Sequence, residues 1–335
     1  MMDALTPMSW SVCGTRPHND REFIVISRSN SGEYATIPFA LIGGVMGETR
    51  TISRILPGRP VTDGGGVPVR RTIGDKHLET LDPFLLFDEL KSGAPGEHDA
   101  GLPKHPHRGL QTITYVIDGE LDVRDSHGNF VSLTPGMVQW AHAGTGIIHD
   151  ELPKRGVPIR AIQFWLNVPG REKMSMPQVQ TLAAADIPTV ELPMGGTIRV
   201  IAGSQKTVSG PIVADRTKAL LLDVNLPRGS GVSLDIPADK VAMLYVLQGR
   251  AMFGITGTST GEMVGRGHLI LLSQGDVVKV LSGHMGARFL VVGAIPIGEP
   301  ICRYGPMAMN TAIEIEQAVA EYHAGTFDLN APVQL

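Results

Sequence analysis

The sequence predicts an all-β protein of two stacked β-barrels, and three observations carry that prediction. The first is composition: 40 glycines and 24 prolines among 335 residues, with 19% charged and 42% hydrophobic residues. Turn formers at that density suit many short strands better than a helical bundle. The second is a succession of short β-branched and aromatic runs separated by tight turns. The third is an internal echo. Tyr115-Val116-Ile117-Asp118-Gly119-Glu120 recurs as Tyr245-Val246-Leu247-Gln248-Gly249-Arg250, and Leu133-Thr134-Pro135-Gly136-Met137-Val138 as Leu272-Ser273-Gln274-Gly275-Asp276-Val277. Such self-similarity marks a duplicated unit, one barrel per copy.

Residues 1–50 show no periodicity. An extension packed on the body, a disordered arm and the product of an upstream start codon all stay open for them. The barrel region begins at the turn Asp63-Gly64-Gly65-Gly66, which feeds a strand through Val69-Arg70-Arg71; a second strand enters after Pro83. Ser92 to Lys104 is polar, rich in Gly and Pro, and reads as a loop. Strand signals follow at 110–117, 121–124, 130–133, 137–140, 147–152 and 159–166. Turns fall at Asp118-Gly119, His127-Gly128-Asn129 and Thr134-Pro135-Gly136. Thr311 to Tyr322 has helical spacing, with Ile313, Ile315, Val319 and Tyr322 apolar. Thr311 with Glu314 predicts a capping box, and Gly325 a stop. The expected division is an extension at 1–50, a metal-binding barrel at 51–175, a metal-free barrel at 176–300 and a segment with a short helix at 301–335.

Chemistry concentrates in His105-Pro106-His107-Arg108-Gly109 and, later, in His149-Asp150-Glu151. Each stretch carries two metal-capable side chains at i, i+2. On a helix such residues point nearly opposite ways. On a strand they share a face, about 6.6 Å apart, and their tips can converge on one ion. A lone strand histidine is usually a hydrogen-bonding residue; two same-face pairs are harder to dismiss. His105, His107, His149 and Glu151 are therefore the expected ligands of one divalent transition metal. Neutral imidazole and carboxylate suit Fe, Mn, Co, Ni, Cu or Zn. Four protein ligands leave octahedral positions free for water, dioxygen or a substrate oxygen.

In the second copy the echo sets Asp235, Pro237, Arg288 and Leu290 at the corresponding positions. That set cannot bind a divalent cation in this way. Arg108 and Gln111 read either as residues positioning the ligands or as plain surface. Gly109, Gly144 and Gly146 read as turn residues. His268 and His284 are isolated, and His18, His77, His98, His127 and His323 have no motif around them.

Net charge is −4, with no sustained basic stripe, which argues against direct nucleic-acid binding. Cys13 and Cys302 are too few for a disulfide framework or a thiolate metal site. No basic segment precedes an apolar core at the N-terminus, and the apolar run from Tyr34 to Gly47 is too short to span a bilayer. A cytoplasmic protein without membrane contact is the expectation.

HPHRG, followed by T-x-T-Y-V-I-x-G, L-x-P-G-x-V-Q-W, A-G-x-G-I-I-H-x-E and a late Y-G-P-M-x-M-N-T, resembles the pirin family of the cupin superfamily. The resemblance runs from about Asp63 to the C-terminus. It implies two tandem cupin barrels of jelly-roll type (a bicupin), and it points to iron as the metal. It also implies an activity: quercetin 2,3-dioxygenase-like opening of a flavonol ring, with a small phenolic substrate, dioxygen and Glu151 as base. The alternative it offers is a redox-responsive iron protein that modulates a transcription factor or metabolic enzyme through a protein partner. His142 stands where the family has a smaller residue and Thr145 where it often has arginine. Both departures are expected at the barrel mouth, bearing on substrate preference.

Overall fold

Both halves of the chain lay down strands in one order, as the echo predicts. The fold, a computed structural model, describes residues 47–63, 66–91, 101–213, 215–257 and 259–328, with the backbone of three N-terminal strands. Those three, β1 (Trp10–His18), β2 (Arg21–Arg28) and β3 (Tyr34–Pro38), form an antiparallel sheet of their own, in a region without sequence periodicity. The chain continues through β4 (Ile52–Pro57), β5 (Arg59–Asp63), β6 (Val67–Ile73), β7 (Phe84–Lys91), β8 (Leu102–His107), β9 (Leu110–Asp118) and β10 (Leu121–Asp125). Then come β11 (Phe130–Leu133), β12 (Val138–His142), β13 (Ile147–Pro153), β14 (Arg160–Asn167) and β15 (Gln178–Leu182). The second half holds β16 (Thr189–Glu191), β17 (Thr197–Ala202), the short β18 (Ser204–Gln205) and β19 (Val208–Ser209), β20 (Leu220–Leu226) and β21 (Gly231–Asp235). It closes with β22 (Val241–Phe253), β23 (Glu262–Gly265), β24 (His268–Leu272), β25 (Val277–Ala294), the hairpin β26 (Cys302–Tyr304) and β27 (Met307–Met309), and α1 (Ala312–Ala324). The loop expected from Ser92 lies, over 92–100, outside the described residues; Leu102 onward is already strand.

One sheet runs β15-β12-β9-β14-β7-β6-β5 and the other β4-β24-β22-β25-β20-β17-β16. Position by position these are the same sheet. Their edges are exchanged across the expected boundary: β15 pairs with β12 of the first half, and β4 with β24 of the second. The first barrel is completed by the smaller sheet β11-β10-β13-β8.

Strand alternation sorts the side chains into three interiors. Ile113, Tyr115, Val138, Trp140, Ile162 and Phe164 turn toward the second half and pack with Leu221, Met243, Tyr245 and Leu290 in a core shared by the barrels. Each large side chain so buried contributes about 1.5–3 kcal/mol. Val232, Leu234, Phe253, Val278 and Val280 fill the second barrel. The first barrel has an apolar floor of Val69, Leu90, Val116, Leu121 and Val123, and its remaining interior is polar.

Helix α1 matches its expected capping. Thr311 accepts from the Glu314 N–H, the Glu314 carboxylate accepts from the Thr311 N–H at 2.8 Å, and Gly325 ends the helix at φ 70°. It buries Ile315 and Ala318, whereas Ile313, expected on the apolar stripe, is 75% exposed. No helix among the described residues is long and apolar enough to cross a membrane.

Candidate metal centre

β8 and β13 lie antiparallel, with His149 opposite His105 and Ile147 opposite His107. Paired residues share a face, so the three histidines enter one interior. Their ligand nitrogens lie within 4.8 Å of one another, and His105 Nε2 is 3.0 Å from His149 Nε2. The other ring nitrogens fix the tautomers. His105 Nδ1 lies 2.8 Å from the Pro103 carbonyl and His107 Nδ1 3.1 Å from that of Pro306. A carbonyl only accepts, so each Nδ1 carries the proton and each Nε2 turns a lone pair inward. Burial, and then the neighbouring imidazoles, hold His107 well below its usual range. Burial likewise brings His149 down to about 4, against the opposing charge of Glu151. Imidazole nitrogens gathered in this way suit a metal ion.

Glu151 follows a register shift after His149, is fully buried, and stands outside that histidine group. Its Oε1 accepts from the Thr114 hydroxyl at 3.0 Å and its Oε2 from the Gln163 amide at 2.7 Å. Thr114 and Gln163 face each other across β9 and β14. Together they satisfy a carboxylate that burial alone would penalise. Each oxygen keeps a further lone pair.

A cavity of about 470 Å³ opens on His105 and Gln163, with Trp165, Arg303 and Pro306 in its wall. Trp165 meets the His107 ring edge-on at 5.0 Å, and Arg303 lies over the Trp165 ring at 5.1 Å. Arg303 and Pro306 belong to the β26–β27 hairpin, which several hydrogen bonds fasten to the barrel, His107 to the Pro306 carbonyl and Arg303 to the Leu85 carbonyl among them. The Ala308 N–H donates to the Arg108 carbonyl at 3.0 Å, and Lys173 Nζ donates to the carbonyls of Ala308 (2.9 Å) and Gly109 (2.8 Å). Gly109 is required here: at φ 69° a Cβ would meet the Ala308 oxygen at 2.2 Å.

Four secondary candidates fall elsewhere than expected. Arg108, one residue from His107, points away from the site. It donates to the carbonyls of Thr145 and Phe327, pairs with Glu321 at 2.7 Å and covers the Phe327 ring, anchoring the end of α1. It is neither a ligand-positioning residue nor a surface one. Gln111 is buried in the seam between barrels, where its side chain accepts from the Arg216 N–H. His142 pairs with Gln111 across the strands and, with Gln139 and Ala141 on the opposite faces, also turns away from the cavity. It lies 2.7 Å from the Ser175 hydroxyl, and burial, helped by Arg216, lowers it to about 4. Thr145 is likewise not among the cavity's lining residues. The two departures from the family pattern therefore do not shape the mouth.

The second barrel answers the three histidines with apolar residues and the carboxylate with a serine. Val280 pairs with Val232 and Val278 with Leu234, as His149 does with His105 and Ile147 with His107. On the other side Ser282 faces Ala251 as Glu151 faces Val123. The counterparts are therefore Val232, Leu234, Val280 and Ser282, rather than Asp235, Pro237, Arg288 and Leu290. The echo misled by matching Gly136 to Gly275. Gly136 donates its N–H to Val116 as Gly267 does to Val246, so Gly267 is the true equivalent.

The sequence matches the family description Pirin over residues 66–166 and the Pirin C-terminal cupin domain over 221–328. It is 35% identical to pirin of Homo sapiens over 279 residues, covering 83% of this chain and 93% of that protein. A quercetin 2,3-dioxygenase from Acinetobacter baumannii superposes with a TM-score of 0.74 at 30% identity, over 83% of this chain and 98% of that one. A bacterial pirin from Escherichia coli, solved in complex with nickel(II), shares the fold at 16% identity with a TM-score of 0.56, over 72% of this chain and 99% of that one.

Proposed function

The chain belongs to the pirin family, and on that premise we propose that it is an iron-dependent dioxygenase opening the ring of a flavonol such as quercetin. One observation carries the reading: three imidazoles bring ligand nitrogens within 4.8 Å of one another, near a buried carboxylate, and His105 among them opens on a cavity of about 470 Å³. Its likeness to the Acinetobacter baumannii quercetin 2,3-dioxygenase supports the substrate class.

His105, His107 and His149 would hold the ion, with Glu151 as the fourth donor. When bound, the metal supplies Lewis-acid polarisation of the enolic oxygen and a place for dioxygen beside it. The remaining work belongs to side chains. The Trp165 face, backed by Arg303, offers a flat apolar wall to an aromatic ring. Glu151 takes the flavonol hydroxyl proton on a carboxylate oxygen and returns it to the opened product. Thr114 and Gln163 hold that carboxylate in place through the transfer. Both atoms of dioxygen enter the product and carbon monoxide leaves.

The test is oxygen uptake by the iron-loaded, full-length chain across a panel of flavonols. Metal-dependent uptake with matching loss of the flavonol chromophore is expected. No uptake at full iron occupancy would reject the enzyme and leave the redox-responsive regulator as the reading to pursue, through metal-dependent binding of a protein partner.

A further inference from the structure

The barrels meet through two polar clusters related by the internal duplication. In the first, Tyr115 donates to Asp223 at 2.6 Å, Arg288 grips the same carboxylate at 2.7–3.2 Å, and Arg199 donates to the Tyr115 oxygen at 2.8 Å. In the second, Tyr245 donates to Glu89 at 2.8 Å and Arg160 to the same carboxylate at 2.7 Å. Pairing makes the match residue by residue. Ile162 joins Tyr115 to Glu89 as Leu290 joins Tyr245 to Asp223, and Arg70 lies opposite Glu89 as Arg199 lies opposite Asp223. Each tyrosine thus reaches the acid of the other half.

The copies differ in their surplus charge. Around Asp223 both arginines are engaged: Arg288 on the carboxylate, Arg199 on Tyr115 and on the carbonyls of Gly136 and Ala184. Around Glu89 there are two more cations. Arg266 occupies the turn Gly265-Arg266-Gly267, where the other copy has Pro135, and Lys91 stands where the other copy has Asn225. Four cations (Arg70, Lys91, Arg160, Arg266) minus two carboxylates (Glu89, and Asp118 opposite Arg160) leaves +2; two (Arg199, Arg288) minus one (Asp223, with Gln248 opposite Arg288) leaves +1. Glu89 is already bonded to Tyr245 and Arg160, so Arg70 and Arg266 reach it only at 4.0 and 3.7 Å, with side chains 52% and 46% exposed.

A cavity of about 360 Å³ lies at this copy, lined by Arg70, Lys91, Arg266 and Glu89 with Pro60 and Pro68 as apolar wall. None of its lining residues lines the metal cavity. Arg70 is preorganised for it. Its stem crosses Gly58, where a Cβ would collide at 2.2 Å, and its guanidinium donates to the Gly58 carbonyl at 3.2 Å.

We propose that this cleft between the barrels is a second ligand site, binding the phosphate group of a small phosphate ester. Two guanidinium forks and an ammonium match the oxygens and double charge of a phosphate monoester. The proline rings receive the carbon part.

The test is calorimetric titration of the metal-loaded, full-length chain with glycerol 3-phosphate at low ionic strength, with glycerol as the uncharged control. One saturable site is expected. Arg266→Gln, on a half-exposed turn, should weaken it about tenfold, the loss of one charge-assisted bond. Arg70→Gln should act in the same direction, with its melting temperature measured to certify the fold. Arg124→Gln, an exposed cation on β10, should change nothing. Absence of saturation, wild-type affinity in Arg266→Gln, or equal weakening by Arg124→Gln would each overturn the site. Stripping the metal should leave binding intact; loss of binding would move the ester to the histidines and also refute the proposal.

Discussion

Where the first barrel sets His105, His107, His149 and Glu151 beside a cavity, the second sets Val232, Leu234, Val280 and Ser282 in packed surroundings. Strand order is shared, so the difference lies in the side chains and in the register shift between His149 and Glu151, which the second barrel lacks. Converging imidazoles and a buried carboxylate work against folding until a cation or hydrogen bonds offset them. Valine and leucine at the same places stabilise directly. The comparison teaches that duplication let one copy carry the strain of a site while the other, through the shared core, supplies rigidity. The fold tolerates the site; it does not need it.

Four measurements would break or sharpen that contrast. The largest effect is expected from His105→Ala/His107→Ala, which removes two of three converging nitrogens. Elemental analysis should fall from one metal per chain to near zero. Undiminished metal would break the assignment, and two ions per wild-type chain would break the contrast itself. Next, Glu151→Gln keeps size and one oxygen donor but discards the base. At matched metal occupancy, oxygen uptake with quercetin should drop about 10²–10⁴-fold, and equal rates would remove Glu151 as the base. Third, Leu234→Ala opens the apolar interior that answers His107. Denaturant unfolding should register a loss of about 2–5 kcal/mol, with metal content unchanged; a parallel loss of metal would show that the barrels do not divide their roles.

The smallest effect concerns Lys173, a polar fitting of the first barrel. Burial lowers its ammonium from 10.5 to about 8. Between those values the unfolded chain holds a proton that the folded chain has released, so this group makes stability rise with pH across that window. Lys173→Met should abolish the rise, by at most about 1.4 kcal/mol per pH unit. Identical pH profiles for wild type and variant would show that the three acceptors around Nζ, the Gly109 and Ala308 carbonyls and the Asn167 amide oxygen, sustain the charge.

Much of this was legible in the sequence because strand periodicity is local. The i, i+2 spacing of His105/His107 and His149/Glu151 fixes a shared face before any fold is known. The same parity could have shown that His142 and Arg108 turn away. Thr114 and Gln163 carry a further signal: each is a polar residue between apolar neighbours in a strand, facing inward. Arg303 and Pro306 left none, since a chain reversal of some two hundred residues brings them to the site. The echo sets the second barrel's counterparts out of place because Leu272-Ser273-Gln274-Gly275 resembles Leu133-Thr134-Pro135-Gly136 more than Val264-Gly265-Arg266-Gly267 does. Only pairing, not resemblance, decides between them.

The bond from His107 to Pro306 joins residues 199 positions apart. Synthesis runs from the N-terminus, so all three imidazoles leave the ribosome long before the carbonyl that sets the His107 tautomer. The wall formed by Arg303 and Pro306 arrives last, together with the hairpin that Arg108 and Lys173 fasten. A chain cut short before the hairpin would keep His105, His107, His149 and Glu151 but lose both the Pro306 carbonyl and the Arg303 wall.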